Sequence, residues 1–276
     1  MNPVTATFEY LASAFNGLGL WRREQSVWGN RLASRTFDRS LYLWMHRCGF
    51  MGRSEREILS RLVKPGMTVV DVGANVGLYT LYMAALVGRE GRVIAFEPDP
   101  DLASLLVDNC EANGIQNVQA HRAALGTKPE RMILHRISIN SGDNHLGSHA
   151  RTAFLKPVEV EVVSFDSLLP GVRPDFIKVD VQGWELNVLR GMERTLKGSD
   201  ALIYLEFWPD GLRRAGDAPA ELFSFVRGLG LDFYSADGWT LFDEPTFLAM
   251  AGKVKGLNFI NLLASRGSPP RSQRGK

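Results

Sequence analysis

The sequence is poor in the features that mark disulfide-linked, zinc-binding, exported and membrane-spanning proteins. Its 276 residues include two cysteines, Cys48 and Cys110, which lie far apart and form no CxxC or Cys/His spacing. This pattern predicts neither a disulfide framework nor a zinc site. The first twenty residues hold Glu9 and no Lys or Arg, unlike a signal peptide, and no apolar run reaches the roughly 18 residues of a membrane span. We therefore expect a cytoplasmic protein that does not span a membrane.

The chain also lacks a strong excess of charge of either sign. The formal net charge is +2, and 45% of the residues are hydrophobic, which is typical of a soluble globular protein with room for one large α/β domain. So small a charge does not by itself indicate a nucleic-acid partner, although anionic partners stay open. The function therefore has to be inferred from motifs.

Short apolar runs alternate with helical patterns along most of the chain. Strands are predicted at residues 68–72, 92–97 and 118–123, with helices at 78–87 and 102–113 between them. This βαβαβ order is typical of an α/β protein with a parallel, doubly wound sheet. The same patterns predict later strands at 158–163, 176–180, 202–207, 231–235 and 257–263, and later helices at 184–197 and 221–229.

The two ends of the chain follow different patterns. Residues 1–55 alternate aromatic and basic side chains and are interpreted as a helical lead-in. Ser54 predicts the start of a capped helix that enters the main domain, which is expected to cover residues 56–263. Residues 264–276 contain prolines, glycines and basic residues without an acid, so a disordered basic tail is predicted.

A glycine loop, VVDVGANVGLYTLYMA, follows the first predicted strand. A dinucleotide fingerprint G-x-G-x-x-G would need glycine at Asn75 and Leu78 as well as at Gly73. The observed Gly73 and Gly77 instead suit a nucleoside that carries no pyrophosphate, and we expect Gly73, Asn75 and Gly77 to contact it. Glycines also follow strands in many ordinary α/β turns, so the loop alone leaves a purely structural role open.

Two acidic residues complete the predicted nucleoside site. Glu97 ends the second strand in Phe96-Glu97-Pro98 and is predicted to accept hydrogen bonds from both ribose hydroxyls. Asp71, near the end of the first strand, is predicted to interact with an amino acid ammonium through the loop or a water. Together these groups match S-adenosylmethionine, which joins an adenine-bearing ribose to a methionine through a sulfonium.

Three ordered blocks resemble the FkbM family of S-adenosylmethionine-dependent methyltransferases. They are VVDVGANVGLYTLYMA, VIAFEPDP and DFIKVDVQGWELNVLRGMERTL. The resemblance implies the seven-stranded, Rossmann-like class I methyltransferase fold with S-adenosyl-L-methionine as cofactor. It also implies, most often, O-methylation of a hydroxyl on a sugar, glycolipid or polyketide-like natural product. It leaves open the identity of the acceptor, the regiochemistry and the oligomeric state.

The sequence departs from the family pattern in two places. Gln182 stands where the family commonly has Glu in an Asp-Val-Glu-Gly motif, which removes one negative charge. The strand that ends at Ala123 is followed by Ala124 rather than by the acid that many class I methyltransferases place against the adenine amine. We therefore expect backbone groups and apolar contacts around Ala124 to hold the adenine. Asn140, in a polar segment resembling the family's Asn/Ser/Gly insert, is a further candidate to position acceptor or cofactor.

The predicted acceptor site lies at the ends of two later strands, because ligands of open α/β sheets bind outside the carboxyl ends. Asp180 is the first candidate to orient the acceptor hydroxyl or take its proton, with Glu206, His145 and His149 as alternatives. Asp180 as a helix cap and Glu206 as an ion-pair partner are the structural alternatives. The expected reaction is in-line attack of the hydroxyl oxygen on the sulfonium methyl. Two carboxylates are few for Mg²⁺, so we predict no metal.

Two other functions stay open. Loss of the family's acid at Gln182 allows a methyltransferase-like binding module without catalysis, and the Arg-rich lead-in and basic tail allow an RNA methyltransferase. Against the latter, the sequence has no Asn-Pro-Pro-Tyr-type motif and no recognisable RNA-binding module. A small-molecule or glycan hydroxyl is therefore predicted as the acceptor in preference to nucleic acid.

Overall fold

The computed structural model describes residues 22–35, 51–137, 140–146, 156–236, 239–256 and 258–267. The strands are β1 (Arg22–Val27), β2 (Asn30–Arg35), β3 (Thr68–Val72), β4 (Arg92–Phe96), β5 (Val118–His121), β6 (Ala124–Leu125), β7 (Glu130–His135), β8 (His145–Leu146), β9 (Val158–Val163), β10 (Phe176–Val179), β11 (Leu202–Phe207), β12 (Asp232–Ser235) and β13 (Ile260–Ser265). The helices are α1 (Met51–Leu62), α2 (Leu78–Val87), α3 (Pro100–Ala112), α4 (Phe165–Leu168), α5 (Glu185–Gly191), α6 (Glu193–Lys197), α7 (Pro209–Arg214), α8 (Pro219–Gly228) and α9 (Glu244–Lys253).

A seven-stranded sheet in the order β12-β13-β11-β10-β3-β4-β5 forms the centre of the fold. Neighbouring strands from β11 to β5 are parallel, and β13 is antiparallel to both β11 and β12. The chain leaves β3 to add strands first on one side and later on the other, so the loops after β3 and β10 diverge and leave a crevice. The predicted α/β, doubly wound fold with seven strands is confirmed.

Central strands are buried on both faces, which explains their continuous apolar sequences. Val70 and Ile177 belong to one core cluster, whereas their neighbours Val69 and Phe176 belong to another on the opposite face. Helices α1 and α2 cover the second face. The described part of the chain has no helix that is long and apolar enough to cross a membrane.

A smaller four-stranded sheet, β6-β9-β7-β8, carries the segment between β5 and β10. The strand predicted at 158–163 belongs here, pairing antiparallel with β7. Residues 126–157 had no predicted element, but they contain β7, whose side chains are mostly exposed or half-buried. The weak alternation of such a surface strand explains why its sequence did not mark it.

The prediction of a helical lead-in is wrong for residues 22–35, which form the antiparallel hairpin β1–β2. Trp28 and Gly29 form its two-residue turn with φ of 52° and 86°, as a tight hairpin turn requires. Residues 1–21 and 36–50 lie outside the described residues, and so do 268–276 of the predicted tail.

Side-chain amides in and directly after α3 stabilise this hairpin by taking the place of a neighbouring strand. Asn113 accepts a hydrogen bond from the backbone N–H of Arg31 at 2.8 Å and donates to its carbonyl. Asn109 does the same for Ala33, at 2.7 and 3.0 Å. Because these partners lie about eighty positions away, local periodicity could not reveal the hairpin.

Several element boundaries also differ from the predictions. Helix α1 begins at Met51, ahead of Ser54. The helix predicted at 184–197 is divided at Met192 into α5 and α6. Helices α7 and α9 were not predicted. Both begin with Pro near the first turn, a position that proline favours in helices but also in ordinary turns.

Candidate active site

A cavity of about 350 Å³ opens at the carboxyl ends of the central parallel strands. Gly73, Glu97, Asp180 and Glu206, which follow or end β3, β4, β10 and β11, all line it. The volume is within the range of small-molecule sites. Side chains predicted from separate strand ends therefore share one space.

Gly73 allows two loops of the site to touch. Its φ is 82°, and a Cβ added here would lie 1.9 Å from the backbone oxygen of Asp180. The N–H groups of Gly73 and Ala74 both donate to the carbonyl of Phe96 at 3.0 Å. Any larger residue at position 73 would separate the loop after β3 from the loop after β10.

Gly77 has a packing role instead of the predicted contact with the ligand. It has φ 93° at the start of α2, and it does not line the cavity. A Cβ here would lie 2.5 Å from Leu106 Cδ1 and 2.9 Å from Leu81 Cδ1. Gly77 therefore lets α2 pack closely against α3 without displacing these leucine side chains.

Asp71 lies behind the cavity and does not reach its surface. It is fully buried, accepts a hydrogen bond from Thr80 Oγ1 at 2.6 Å, and has its Oδ1 3.9 Å from Lys178 Nζ. Burial raises the pKa of Asp71, although Lys178 and Thr80 oppose the shift. The predicted interaction with a ligand ammonium is therefore not a direct one.

Glu97 joins the glycine loop to the next strand and also lines the cavity. Its Oε2 accepts a hydrogen bond from the Asn75 N–H at 2.8 Å, and its Oε1 accepts one from the Asp99 N–H at 2.9 Å. Asn75 adopts φ 53° in this turn and donates through Nδ2 to Ser141 Oγ at 3.1 Å. These hydrogen bonds fix the Glu97 carboxylate at the end of β4, where it lines the cavity.

The segment 140–146 lies over this part of the cavity, and Asn140 and His145 both line it. Asp99 fastens the segment: it accepts hydrogen bonds from Arg136 Nε at 2.9 Å and from Asn144 Nδ2 at 3.2 Å. The ring nitrogen Nδ1 of His145 lies 2.9 Å from the Asp143 carbonyl. The alternative base His149 lies outside the described residues.

An apolar wall completes the side of the cavity that Ala124 was predicted to form. Ala124 and Leu125 line it together with Leu134, Leu146 and Trp184. Trp184 was not predicted as a site residue because its expected place as the first residue of the helix at 184–197 gave no sign of ligand contact. This wall can pack against a purine ring.

Asp180 and Glu206 lie at the opposite end of the cavity, bridged by Gln182. The amide nitrogen Nε2 of Gln182 donates to Asp180 Oδ1 at 3.2 Å and to Glu206 Oε1 at 2.8 Å. Burial, together with the Asp180 charge, raises the pKa of Glu206 well above its usual range.

Lys178 is the cation that compensates this group of acids. It donates to Asp180 Oδ2 at 3.1 Å and is 3% exposed. Burial lowers the pKa of Lys178, but Asp180, Asp71 and Glu206 together raise it above its ordinary value. The lysine is therefore a charged, buried partner of the carboxylates.

Glu55 and Tyr79 also reach this end, and neither was predicted. The Tyr79 hydroxyl donates to Glu55, and Asn261 Nδ2 donates to the other Glu55 oxygen at 3.2 Å. The Lys178 ammonium lies 4.4 Å from the Tyr79 ring centroid. Glu55 shares one face of α1 with Ile58 and residues 59 and 62, a helical spacing that could have placed it on the packed side of the helix.

The described lining residues include five acids and no Lys or Arg; the acids are Glu55, Glu97, Asp143, Asp180 and Glu206. Such a cavity suits a cation such as a sulfonium. Among the residues that the structure describes, no group of three or more His, Cys, Asp or Glu is arranged to hold a metal ion.

The FkbM methyltransferase domain matches residues 71–232, more than half of the chain. The chain belongs to the FkbM methyltransferase family. S-adenosylmethionine is the cofactor of this family, which agrees with the nucleoside site predicted at Glu97 and with the acidic lining. The predicted recognition and cofactor are thus confirmed.

Three relatives of this FkbM domain differ in how much they share with it. "Methyltransferase 1" of Beauveria bassiana is 30% identical over 45% of this chain and 58% of its own length. Hexuronic acid methyltransferase AglP of Haloferax volcanii is 27% identical over 55% of this chain and 62% of its own. The 2-O-methyltransferase NoeI of Sinorhizobium fredii is 27% identical over 55% of this chain and 68% of its own length. The chain therefore spans less than two thirds of the first two relatives.

Proposed function

We propose that this FkbM domain transfers the methyl group of S-adenosylmethionine to a hydroxyl oxygen of a sugar, glycolipid or polyketide-like acceptor. One observation carries the proposal: Glu97 and the Asp180–Glu206 pair line the same cavity. A nucleoside held at Glu97 would thus share a space with carboxylates that can handle a hydroxyl. The names of AglP and NoeI, a hexuronic acid methyltransferase and a 2-O-methyltransferase, support a sugar acceptor.

The residues of the cavity fit the cofactor. Glu97 would accept hydrogen bonds from the ribose hydroxyls, Gly73 and Asn75 would place the loop backbone beside the ligand, and Ala124 would contact the adenine. When bound, S-adenosylmethionine supplies an activated methyl group on a cationic sulfur. The acidic lining stabilises that charge.

Asp180 has the position expected of the group that handles the acceptor. It orients the hydroxyl and accepts its proton as the oxygen attacks the methyl carbon, while the electron pair of the broken S–C bond stays on sulfur. Alignment of the reactants can supply about 7–11 kcal/mol, and a positioned base adds about 10²- to 10⁴-fold. Glu206 and His145 line the same cavity and are the alternative bases.

Calorimetric titration tests the proposal first at the cofactor. S-adenosylmethionine and S-adenosylhomocysteine should bind, and NAD should not, because the loop lacks the glycines of a dinucleotide site. Release of S-adenosylhomocysteine should then be measured across neutral sugars, uronic acids and polyketide alcohols. The proposal would be rejected if NAD bound, or if neither S-adenosylmethionine nor S-adenosylhomocysteine bound. Cofactor binding without transfer to any hydroxyl would favour a non-catalytic binding domain.

A further inference from the structure

Among the residues that the structure describes, Gln182 is the side chain that hydrogen-bonds both Asp180 and Glu206. Its Nε2 donates to Asp180 Oδ1 at 3.2 Å and to Glu206 Oε1 at 2.8 Å. An amide nitrogen carries two N–H groups, so both are used here. One neutral side chain thereby holds two acids that would otherwise repel each other.

The backbone at Gln182 and Gly183 forms a turn with two positive φ angles, which places the Gln182 side chain between the two acids. Gln182 has φ 53°, in the left-handed region that non-glycine residues seldom adopt. Gly183 follows with φ 102°, and a Cβ there would lie 2.3 Å from the backbone carbon of Gly211 in α7. Close packing on α7 therefore fixes the turn, and unfavourable dihedrals of this kind concentrate at functional sites.

We propose that Gln182 is a positioning residue whose amide bridges Asp180 and Glu206 and so fixes the direction in which Asp180 meets the acceptor hydroxyl. This inference rests on the proposed function. It assigns a role to the position at which the chain departs from its family's usual Glu. A carboxylate there would bring a third acid into the pair, whereas the amide donates to both.

The surroundings of the pair favour one proton on Glu206. Burial and the Asp180 charge raise the pKa of Glu206, while Asp180 is in an ion pair with Lys178 at 3.1 Å. Asp180 is then the carboxylate that accepts the substrate's proton. The charged and titratable groups that act on the pair come from several elements and are Glu55, Asp71, Tyr79, Lys178, Glu185 and Tyr204.

Nuclear magnetic resonance tests the bridge without an acceptor. In protein labelled with ¹⁵N-glutamine, the signal lost in Gln182→Ala identifies the Gln182 amide. We expect it to shift with pH, with an inflection above the usual range of glutamate that disappears in Glu206→Gln. A Gln182 signal that titrates no more than that of exposed Gln116 would overturn the proposal.

The same samples separate this inference from the proposed function. The affinity of Gln182→Ala for S-adenosylhomocysteine should stay within about twofold of that of the unsubstituted protein. The reason is that Gln182 hydrogen-bonds Asp180 and Glu206 at the acceptor end, whereas Glu97 is the proposed cofactor residue. If the unsubstituted protein binds no S-adenosylhomocysteine, the proposed function fails, whatever the amide signal shows. If it binds and the amide signal fails to titrate, the positioning role alone fails.

Kinetics with an acceptor from the screen supply the second readout. Gln182→Glu should lower kcat about tenfold or more at neutral pH without changing the KM for S-adenosylmethionine. Activity should recover as pH rises, because a third carboxylate retains a proton on the cluster to higher pH. The exposed substitution Gln116→Glu adds the same charge and should leave the profile unchanged. A Gln182→Glu profile that superimposes on the original would refute the assignment.

Discussion

Glu97 holds the loop through two backbone hydrogen bonds and presents its carboxylate to the cavity. Glu97→Ala should weaken S-adenosylhomocysteine binding by about 1–3 kcal/mol, because charge-assisted hydrogen bonds to the ribose are lost. Calorimetry measures this change, with the exposed substitution Glu90→Ala as control. Unchanged affinity in a folded Glu97→Ala protein would remove Glu97 from the cofactor site.

Asp180→Asn should separate binding from turnover. The amide preserves the shape of the side chain but cannot accept the acceptor's proton, so kcat should fall by roughly 10²-fold or more while S-adenosylhomocysteine affinity stays nearly constant. Stopped-time assays and calorimetry on one preparation give both values. A lower melting temperature with near-normal turnover would indicate a structural Asp180 and transfer the base assignment to Glu206 or His145.

At single positions, the sequence predicted the site residues at strand ends better than the residues from other elements that contact them. Asp180 and Glu206 were placed together because parallel strands end at one edge of a sheet. Glu55 and Tyr79 were missed, since a helix before β3 brings Glu55 to Tyr79 only in the folded chain. Asp71 is turned toward Thr80 and Lys178 by the alternation along β3, so its interaction with a ligand ammonium through the loop or a water stays a prediction. The catalytic and cofactor roles themselves stay predictions.

The turn from the glycine loop into α2 has room for no side chain at Gly77. Gly77→Ala should lower the free energy of unfolding by about 1–3 kcal/mol, since it combines a strained positive φ with a Cβ that the ends of Leu106 and Leu81 must move to accommodate. Gly114→Ala is the matched control: its φ is also positive, at 66°, but a Cβ there meets nothing within 4 Å. Urea unfolding should show that Gly77→Ala lowers the free energy of unfolding more than Gly114→Ala does. Equal losses would mean that packing between α2 and α3 does not require the glycine.

The central strands β3, β4, β10 and β11 were predictable because they are buried on both faces and give continuous apolar runs. The hairpin β1–β2 was not, since Asn109 and Asn113 supply hydrogen bonds that an isolated sequence segment cannot display. Strand β7 was missed for a related reason: its exposed side chains leave little apolar pattern. Hydrogen bonds to distant parts of the chain, rather than local propensity, determine that β1, β2 and β7 are strands.

The stability of the whole molecule should depend on the proton held by Glu185. This residue is 1% exposed, and burial, partly offset by the hydrogen bond from the Gly183 N–H, raises its pKa to about 8. Between its unfolded pKa near 4.5 and about 8, the folded state binds this proton and the unfolded state does not. The free energy of unfolding should therefore fall as pH rises through this window, by up to about 1.4 kcal/mol per pH unit.

Urea unfolding at several pH values from 5 to 8 measures this slope. Glu185→Gln should make it shallower because the titrating group is removed, and the exposed substitution Glu161→Gln should leave it as it was. The raised pKa values of Glu206, Glu55 and Asp71 act in the same direction, so part of the slope should persist. An identical slope in Glu185→Gln would show that Glu185 does not hold the proton.

The cavity draws its walls both from residues that match the family and from residues outside that match. Gly73, Glu97 and Ala124 lie within the residues that match the family, whereas Glu55 and Phe259 line the same cavity from outside that match. Substitutions in the two flanking segments can therefore change the shape of the proposed acceptor site while leaving the family's own part of the cavity as it is. A lineage of such enzymes could diversify its products by varying two short stretches of sequence, and a protein engineer could follow the same route.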